Sequence, residues 1–329
     1  MKSTKTSPLA AGISRRHSLI LGGLGVLFAD LGNMGAAEAV GGGRKMRMAL
    51  TPGSIGVRAN QMEAIRLAVR HGFEAVEPNT GYLEGLNEDG LKALRDEMAK
   101  YGLTWAAAGF PLQFRGDEAA YEASLKALPK TAAALQRAGV ERMGTWLSPT
   151  HATLSREENW ERHVQRLREG ARILGEHGLR LGLEYVGTRS ARAGNRQVFI
   201  YNLKDTRALI RDMGRSNVGV ILDSWHWWQA GETVEDLAGL KNEDVVSVDL
   251  NDAPAGVAIE QQQDGRRELP MATGVIPVAG FLRALQKMGY DGPVRAEPFN
   301  QTLNDMDNEE ACAAVAAAMK KAFALLEAK

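Results

Sequence analysis

The stretch from Asn217 to Gly231, NVGVILDSWHWWQAG, combines the clearest predicted strand with an unusual cluster of polar and aromatic residues. Its apolar run, 218–222, has the length of a strand that is buried on both faces. Asp223 ends this run and His226 follows three positions later, so we expect both side chains at the rim, where a buried strand reaches solvent. Three tryptophans around the histidine predict an amphipathic wall. A turn-capping Asp and a His packed among aromatic rings would give the same pattern.

On both sides of this stretch, short apolar runs alternate with segments whose apolar residues recur at helical spacing. Gly102 follows one predicted helix, and Ser155 with Glu158 forms a capping box at the start of another. Eight such strand–helix pairs predict one α/β domain at 44–329 with the (β/α)8 TIM-barrel fold. The predicted strands span 45–51, 73–77, 103–108, 140–147, 179–185, 218–223, 245–250 and 294–297, and the predicted helices span 60–71, 88–101, 117–138, 155–177, 203–213, 233–240, 278–288 and 309–326.

Polar residues end most of these strands, and in a TIM barrel the carboxyl ends of the strands form the mouth where chemistry takes place. Glu184, Asp223, Asp249 and Glu297 end strands five to eight in succession. Each could be a solvated rim charge or a helix cap, but four neighbouring like charges repel one another unless a cation neutralises them. Oxygen ligands favour one divalent ion such as Mn, Mg or Co over Zn. Other residues that we expect at this mouth as substrate contacts are Glu77, Trp146, His151, Trp225 and His226.

Composition restricts the classes of partner. The chain has 329 residues, with 40 Lys and Arg balanced by 40 Asp and Glu. This length suits one large barrel. The neutral charge argues against nucleic acid or an anionic membrane surface as the main partner. Cys312 is the only cysteine, so the sequence provides neither a disulfide framework nor a thiolate metal cluster.

Residues 1–43 differ from the rest of the chain. The Arg15–Arg16 pair leads into an apolar, Gly-rich run at 19–29, and the sequence Ala-Glu-Ala at 37–39 has the pattern of a cleavage site. This order predicts a twin-arginine signal peptide with a Gly-rich linker, recognised by the twin-arginine export machinery. The mature protein is then periplasmic or secreted. The apolar run is too short for stable membrane insertion, and a disordered basic tail is the alternative interpretation.

Five segments also carry a resemblance to a known family: LGLEYV at 181–186, GVILDSWHWWQAG at 219–231, VVSVDLNDAP at 245–254, RELP at 267–270 with Gly274, and GYDGPVRAEPFN at 289–300. In this order they resemble the xylose isomerase-like TIM barrels, the sugar phosphate isomerase/epimerase superfamily of the AP endonuclease family 2 type. That family holds a divalent metal with Glu, Asp, His and Glu from strands five to eight. The resemblance implies Glu184, Asp223 and Glu297 as ligands and places Asp249 where the family has histidine.

The same resemblance implies roles beside the metal. Glu184 and Glu297 would be the catalytic base and acid, while His226 and Arg267 would contact the substrate. The family also contains endonuclease IV, a nuclease with three zinc ions that needs many histidine ligands. Apart from His226, only His151 falls near the predicted mouth of this chain. The sequence therefore argues against a nucleic-acid substrate.

Together these features predict a divalent-metal-dependent sugar isomerase or epimerase, which transfers a proton next to a carbonyl through an enediolate. Its partner would be a small-molecule carbohydrate, and an oligomer is compatible with the sequence. Two alternatives remain open. A metal-dependent 3-oxo-glycoside lyase or hydrolase would use the same enediolate to expel a leaving group, and an exported protein would meet such glycosides. A non-catalytic sugar-binding barrel is supported only by Asp249 in place of histidine.

Overall fold

The computed structural model describes residues 44–194 and 196–327, and the predicted signal peptide at 1–43 lies outside these residues. Nine strands of the described part form one sheet with parallel pairing, and two short strands pair antiparallel. The strands are β1 (Arg47–Leu50), β2 (Ala75–Val76), β3 (Thr104–Trp105), β4 (Ala108–Gly109), β5 (Arg142–Leu147), β6 (Thr150–His151), β7 (Arg180–Tyr185), β8 (Gln197–Val198), β9 (Val218–Asp223), β10 (Val245–Leu250) and β11 (Pro293–Ala296).

The large sheet closes on itself. Its order is β3, β2, β1, β11, β10, β9, β7, β5, β4, so its two ends are β3 and β4. Only Ala106 and Ala107 separate these two strands along the chain. β3 pairs with β2 and β4 pairs with β5, so the third predicted strand is divided between its two neighbours. The ring therefore closes through one interrupted strand, which confirms the predicted TIM barrel.

The helices begin where the sequence supplies caps. The side chains of Asn60, Asp117 and Ser155 each accept a backbone N–H from the third residue of the following helix. Glu158 returns a bond to the Ser155 N–H, which confirms the predicted capping box. Among the described helices, none is long and apolar enough to cross a membrane. The helices are α1 (Gln61–His71), α2 (Thr80–Glu84), α3 (Glu88–Lys100), α4 (Glu118–Ala138), α5 (Arg156–Glu176), α6 (Leu203–Met213), α7 (Ser224–Ala230), α8 (Val234–Leu237), α9 (Val278–Lys287), α10 (Gln301–Asn304) and α11 (Asn308–Ala324).

The tryptophan segment differs most from the prediction, because it forms the extra helix α7 directly after β9. Asp223 Oδ1 accepts the N–H of Trp225 at 2.8 Å, so the carboxylate that ends the strand also caps the helix. Helical spacing buries Trp225 and Trp227 and leaves Trp228 partly exposed. Segments predicted as loops also contain α2 and α10. In addition, the pairing of β6 with β8 joins the loops that follow β5 and β7.

An apolar floor fills the barrel below the mouth. Ile221 lies two residues before Asp223 and therefore points to the same side of β9. A Cβ atom at Gly144 would lie 2.5 Å from Ile221 Cδ1, and one at Gly182 would lie 2.7 Å from Ile221 Cγ1. Because these distances are too short for real atoms, β5 and β7 need glycine at both positions. This floor holds the polar strand ends above it.

Candidate active site

The structure brings four carboxylates together at the mouth of the barrel. Glu184 belongs to β7, Asp223 to β9 and Asp249 to β10, while Glu297 directly follows β11. One oxygen from each lies within 4.8 Å of the others. Asp223 and Asp249 are fully buried, and Glu184 is almost so. Adjacent strands of one sheet therefore concentrate four acidic groups in a place that solvent hardly reaches.

Burial makes Glu184, Asp223 and Glu297 weaker acids than usual, because a charge loses its hydration there. Burial raises the pKa of Glu184 well above its ordinary value, and the charges of Glu297, Asp249 and Asp223 raise it further. Burial also raises the pKa of Asp223 to about 6 against the opposing effect of Arg267. For Glu297, burial raises the pKa to about 7, although the Arg295 guanidinium lowers it. The cluster therefore favours partners that stabilise negative charge.

Two arginines provide part of that stabilisation. Arg267, from the loop after β10, donates from Nη1 to Asp223 Oδ2 at 2.8 Å and to Glu297 Oε2 at 3.3 Å. Arg295, on β11, donates to the two oxygens of Asp249 at 2.6 and 3.0 Å. Its Nη2 also donates to Glu297 Oε1 at 2.8 Å. With all four carboxylates ionised, the two guanidinium groups neutralise only part of the negative charge, and Arg267 also pairs with Asp264 at 3.0 Å. A divalent cation would stabilise the remaining charge.

The donor set fits such a cation. Glu184 Oε1 is buried and has no hydrogen-bond partner among the described residues. A buried carboxylate oxygen without a partner is unfavourable, and a bound cation would satisfy it. Asp223 and Glu297 could supply further oxygens beside it. Asp249 has an oxygen in the same group, but Arg295 already binds both of its oxygens.

The buried His226 holds Arg267 in place. Its Nε2 lies 3.2 Å from Arg267 Nη2, and a guanidinium can only donate, so Nε2 accepts this bond. The proton of the neutral ring is then on Nδ1, which faces Thr188 Oγ1 at 3.5 Å. Burial, together with the Arg267 charge, lowers the pKa of His226 to about 3. The histidine is therefore neutral, with both nitrogens occupied, and direct substrate contact remains a prediction.

The two tryptophans that we expected at the mouth differ in exposure. Trp225 is fully buried and donates from Nε1 to Thr188 Oγ1 at 3.0 Å, so its ring has no exposed face for a substrate. This burial corrects the sequence-based expectation, since α7 turns Trp225 inward. Trp146 is 47% exposed. It lies in register with Glu184 on the neighbouring strand and therefore shares its side of the sheet.

Glu77 and His151, the two remaining residues that we expected to contact the substrate, lie at different depths in the mouth. Glu77 faces the cluster, where burial raises its pKa and the positive charge of Arg295 lowers it. His151 lies at the rim on β6, partly buried. Its Nδ1 accepts the backbone N–H groups of Thr153 at 3.1 Å and Leu154 at 2.8 Å. Only Nε2 of His151 is thus left for a ligand.

Asp252 binds backbone groups of the loop that follows β10. Its two oxygens accept backbone N–H groups from Ala253, Thr273, Gly274 and Ile276 at 2.7–3.0 Å. These bonds hold the two ends of the long β10–α9 loop together. Asp252 therefore supports the loop that carries Arg267.

Sequence reasoning missed Arg295 and Asn251. Arg295 lies two positions before Glu297, on the same face, and a charged residue inside a buried strand was the signal for it. Asn251 lies two positions after Asp249. It donates from Nδ2 to Asp223 Oδ1 at 3.0 Å and accepts the backbone N–H of Glu297 at 2.9 Å, so it connects the Asp223 carboxylate to the backbone at Glu297.

The fold and site define a barrel of the sugar isomerase and epimerase type. Residues 65–322 match the xylose isomerase-like TIM barrel family, and the chain belongs to that family. It is 22% identical over 258 residues to an inosose isomerase of Bacillus velezensis. The aligned region covers 77% of this chain and 88% of the relative.

Solved structures agree with the family assignment. A xylose isomerase domain protein from Alicyclobacillus acidocaldarius subsp. acidocaldarius superposes with a TM-score of 0.75 and 32% identity, covering 86% of this chain and 100% of that one. The IOLI protein with a bound zinc atom superposes with a TM-score of 0.70 and 20% identity, covering 84% of this chain and 98% of that one. At 20% identity this second likeness concerns the fold alone.

Proposed function

We propose that this chain is a divalent-metal-dependent sugar isomerase or epimerase that moves a proton next to a carbonyl through an enediolate. The observation that carries the proposal is the buried cluster of four carboxylates, in which Glu184 Oε1 has no hydrogen-bond partner among the described residues. The likeness to an inosose isomerase supports an isomerase reaction. The zinc atom bound by the IOLI protein supports a divalent metal in this chain.

Glu184, Asp223 and Glu297 would hold the ion, with Asp249 as the predicted fourth ligand. Oxygen ligands favour Mn, Mg or Co over Zn. When bound, a divalent ion polarises a substrate carbonyl and stabilises the negative charge of the enediolate. The four carboxylates belong to consecutive strands, so the substrate carbonyl is expected above this side of the mouth.

Proton transfer is assigned to Glu184 and Glu297. β7 and β11 are separated in the sheet by β9 and β10, so the two carboxyl groups approach the site from different directions. A pKa near neutral pH suits a group that accepts and returns a proton, and burial raises the pKa of Glu297 to about 7. Burial also raises the pKa of Glu184. In an epimerisation, one group would take the proton from the carbon next to the carbonyl and the other would return a proton to the opposite face of that carbon. In an isomerisation, the proton would return to the former carbonyl carbon, while the hydroxyl proton of the neighbouring carbon moves to the former carbonyl oxygen.

The surrounding residues would bind and orient the substrate. Arg267 donates into the cluster from one side, and His226 fixes its direction through the bond at 3.2 Å. Trp146 is an exposed ring beside Glu184 on which an apolar face of a sugar could stack. Exclusion of water by the buried walls strengthens each of these polar contacts.

A 3-oxo-glycoside lyase or hydrolase is the second candidate, because an enediolate next to a glycosidic carbon can expel the leaving group. The proposed export guided by Arg15 and Arg16 favours it, since glycosides are met outside the cell. A barrel that binds sugars without catalysis is the third candidate. The capture of Asp249 by Arg295 favours this third candidate, because it removes one expected ligand.

Solvent proton exchange tests the proposal. Mature protein loaded with Mn is incubated in deuterated water with free ketoses, inososes and 3-oxo-glycosides, and products are identified by NMR. Deuterium at the carbon next to the carbonyl, together with an isomerised sugar, is the expected result. A freed aglycone would identify the lyase or hydrolase. Absence of both exchange and product with every compound, in protein that contains metal, would reject the enzyme proposals.

A further inference from the structure

Two similar stacks of aromatic rings and guanidinium groups border the mouth. In the first, Arg115 lies between Phe114 and Trp146, with its Cζ 4.5 Å from the Phe114 ring centroid and 4.0 Å from that of Trp146. Phe114 is fully buried, whereas Trp146 is 47% exposed. The inner ring and the arginine therefore support an outer ring that faces solvent.

The second stack has the same order. Arg267 Cζ lies 5.6 Å from the Trp225 ring centroid and 4.8 Å from that of Phe299. Trp225 is fully buried and Phe299 is 39% exposed. Again a buried ring and an arginine support an exposed ring. Arg267 also binds Asp223 and Glu297, so this stack is connected directly to the carboxylate cluster.

The two exposed rings lie on opposite sides of the carboxylates. Trp146 belongs to β5, the fourth strand of the barrel, while Phe299 follows β11, the eighth. Four steps around the ring separate these strands in either direction. Trp146 is in register with Glu184, and Phe299 lies two residues after Glu297. Each ring therefore stands next to one end of the row of acidic strand ends.

The backbone of Phe299 adds an independent observation. Its φ angle is +44°, in the left-handed region that a bulky residue rarely adopts. Such strain concentrates at binding and catalytic sites, where the surrounding structure fixes a side chain in advance. Here it turns the ring of Phe299 onto Arg267. Two apolar residues on neighbouring loops, Val257 and Met306, are also exposed, but neither carries an aromatic ring.

We propose that Trp146 and Phe299 are two ring-binding subsites, and that the substrate is therefore a glycoside with two rings that spans the carboxylate cluster. The two surfaces follow strands that are four steps apart around the barrel, so one ring on each surface is the arrangement that we infer. A second ring, either another sugar or an aryl aglycone, would occupy the other. The inference rests on the proposed function for the reacting sugar ring, and it specifies that this ring belongs to a two-ring molecule.

Binding without turnover tests the subsites. Methyl β-D-glucoside carries one ring, whereas phenyl β-D-glucoside and methyl β-cellobioside carry two, and none has a ketone that could react. Affinities for the metal-loaded mature protein are measured by calorimetry or ligand-observed NMR. The two-ring probes should bind at least roughly tenfold more tightly than the one-ring probe, the lower limit for a good apolar contact. Tighter binding of the phenyl glucoside would indicate an aryl subsite, whereas tighter binding of the cellobioside would indicate a second sugar subsite.

Variants locate the effect. Trp146→Ala and Phe299→Asn should each remove most of the two-ring advantage. Asparagine tolerates the left-handed backbone, so Phe299→Asn removes the ring without added strain. Trp146→Phe and Phe299→Tyr should keep the advantage, and Met306→Ala is the exposed apolar control. Circular dichroism and melting temperature confirm that each variant is folded.

Three results would overturn the inference: equal affinity for one-ring and two-ring probes, no binding of any probe to the parent, or an undiminished advantage in both ring-removing variants. Binding is measured separately from proton exchange. If two-ring probes bind as expected but no carbonyl compound exchanges protons, the proposed function fails and the subsites stand.

Discussion

Arg295 donates hydrogen bonds to both carboxylate oxygens of Asp249, from Nε at 2.6 Å and from Nη2 at 3.0 Å. The two residues are register partners on β11 and β10, so their side chains emerge on the same face of the sheet. Asp249 occupies the position where the resemblance implies a histidine ligand. In this chain it pairs with a guanidinium group that also donates to Glu297. Compared with a histidine at position 249, the pair adds one negative and one positive charge to the site. It also occupies both carboxylate oxygens that could bind a metal ion.

A double-mutant cycle tests what Asp249 does. Asp249→Asn leaves the Arg295 guanidinium without its main partner, and we expect a loss of roughly 3–5 kcal/mol in the free energy of unfolding. Asp249→Asn with Arg295→Gln should recover most of that loss and most of the Mn affinity. Chemical unfolding and metal titration measure the two quantities. If the double variant binds Mn as weakly as Asp249→Asn alone, Asp249 contacts the ion itself.

A histidine at the same position provides the complementary test. Asp249→His with Arg295→Gln restores the ligand type of the family and removes the competing guanidinium. Because imidazole is a softer ligand than carboxylate, metal preference should shift from Mn towards Zn. Competition titrations with the two ions measure this shift. An unchanged preference would exclude position 249 from the ligand set.

Glu184 and Glu297 are expected to be necessary for proton transfer. Glu184→Gln and Glu297→Gln should each lower kcat by roughly 10²-fold or more, and chelation of the metal should abolish activity. The exposed Glu122→Gln on α4 is the matched control and should leave kcat unchanged. Metal analysis of each variant separates loss of the ion from loss of proton transfer. Full activity in either variant would remove that glutamate from the proposed reaction.

The periodic parts of the chain were predictable because local pattern determines them. β9, β10 and α6 have the predicted boundaries, since each is a compact apolar or amphipathic run with clear ends. The third barrel strand was predicted as continuous, but it divides into β3 and β4 to satisfy two neighbours. That division follows from closure of the ring, which a local pattern does not contain.

The same distinction applies to the site. Strand ends could be found from sequence, so the positions of Glu184, Asp223, Asp249 and Glu297 at one mouth were predictable. The partners of these carboxylates depend on register between distant strands and on how a long loop returns to the mouth. The contacts of Arg295 and Asn251, and the hydrogen bond between Arg267 and His226, therefore became visible only in the structure.

Glu232 should make stability depend on pH. It accepts hydrogen bonds from the Tyr185 hydroxyl and from the Leu203 N–H, and burial raises its pKa from 4.5 to about 7. Because the pKa of Glu232 is higher in the folded state than in the unfolded state, the protonated carboxyl group stabilises the fold. This stabilisation is fully present below pH 4.5 and is lost as pH rises to about 7.

Replacement of this group tests the sign. Relative to Glu232→Gln, the parent should lose up to roughly 1.4 kcal/mol of unfolding free energy per pH unit across that interval. Denaturant unfolding at several pH values measures the difference, with the exposed Glu235→Gln as control. If the unfolding free energy of the parent minus that of Glu232→Gln stays constant or increases as pH rises, the raised pKa of Glu232 is wrong.

Export is expected to depend on the paired arginines. Arg15→Lys with Arg16→Lys keeps the positive charge but removes the twin-arginine signal, so the precursor should stay in the cytoplasm. Arg66→Lys with Arg70→Lys, on α1, is a control with the same change of residue type. Cell fractionation and immunoblotting measure the distribution. Mature protein outside the cytoplasm in the Arg15 and Arg16 variant would reject the twin-arginine route.

Asp252 should act through the loop that brings Arg267 to the site. Its carboxylate accepts four backbone N–H groups, and an asparagine in its place would turn an amide NH₂ towards some of these donors. Asp252→Asn should lower the free energy of unfolding by roughly 1–3 kcal/mol. A displaced Arg267 should raise KM and also lower kcat, because Arg267 is proposed to bind the substrate and donates to Asp223 and Glu297.

Hydrogen exchange locates this effect. In Asp252→Asn, the amides of Thr273, Gly274 and Ile276 should exchange faster than in the parent, because they lose their acceptor. Amides in β9 and β10 should be much less affected, since their partners are in the sheet. Asp305→Asn, an exposed change in the loop after α10, is the control. Unchanged exchange at 273–276 would show that the loop is held by other contacts, and a raised KM would then need a cause other than loop position.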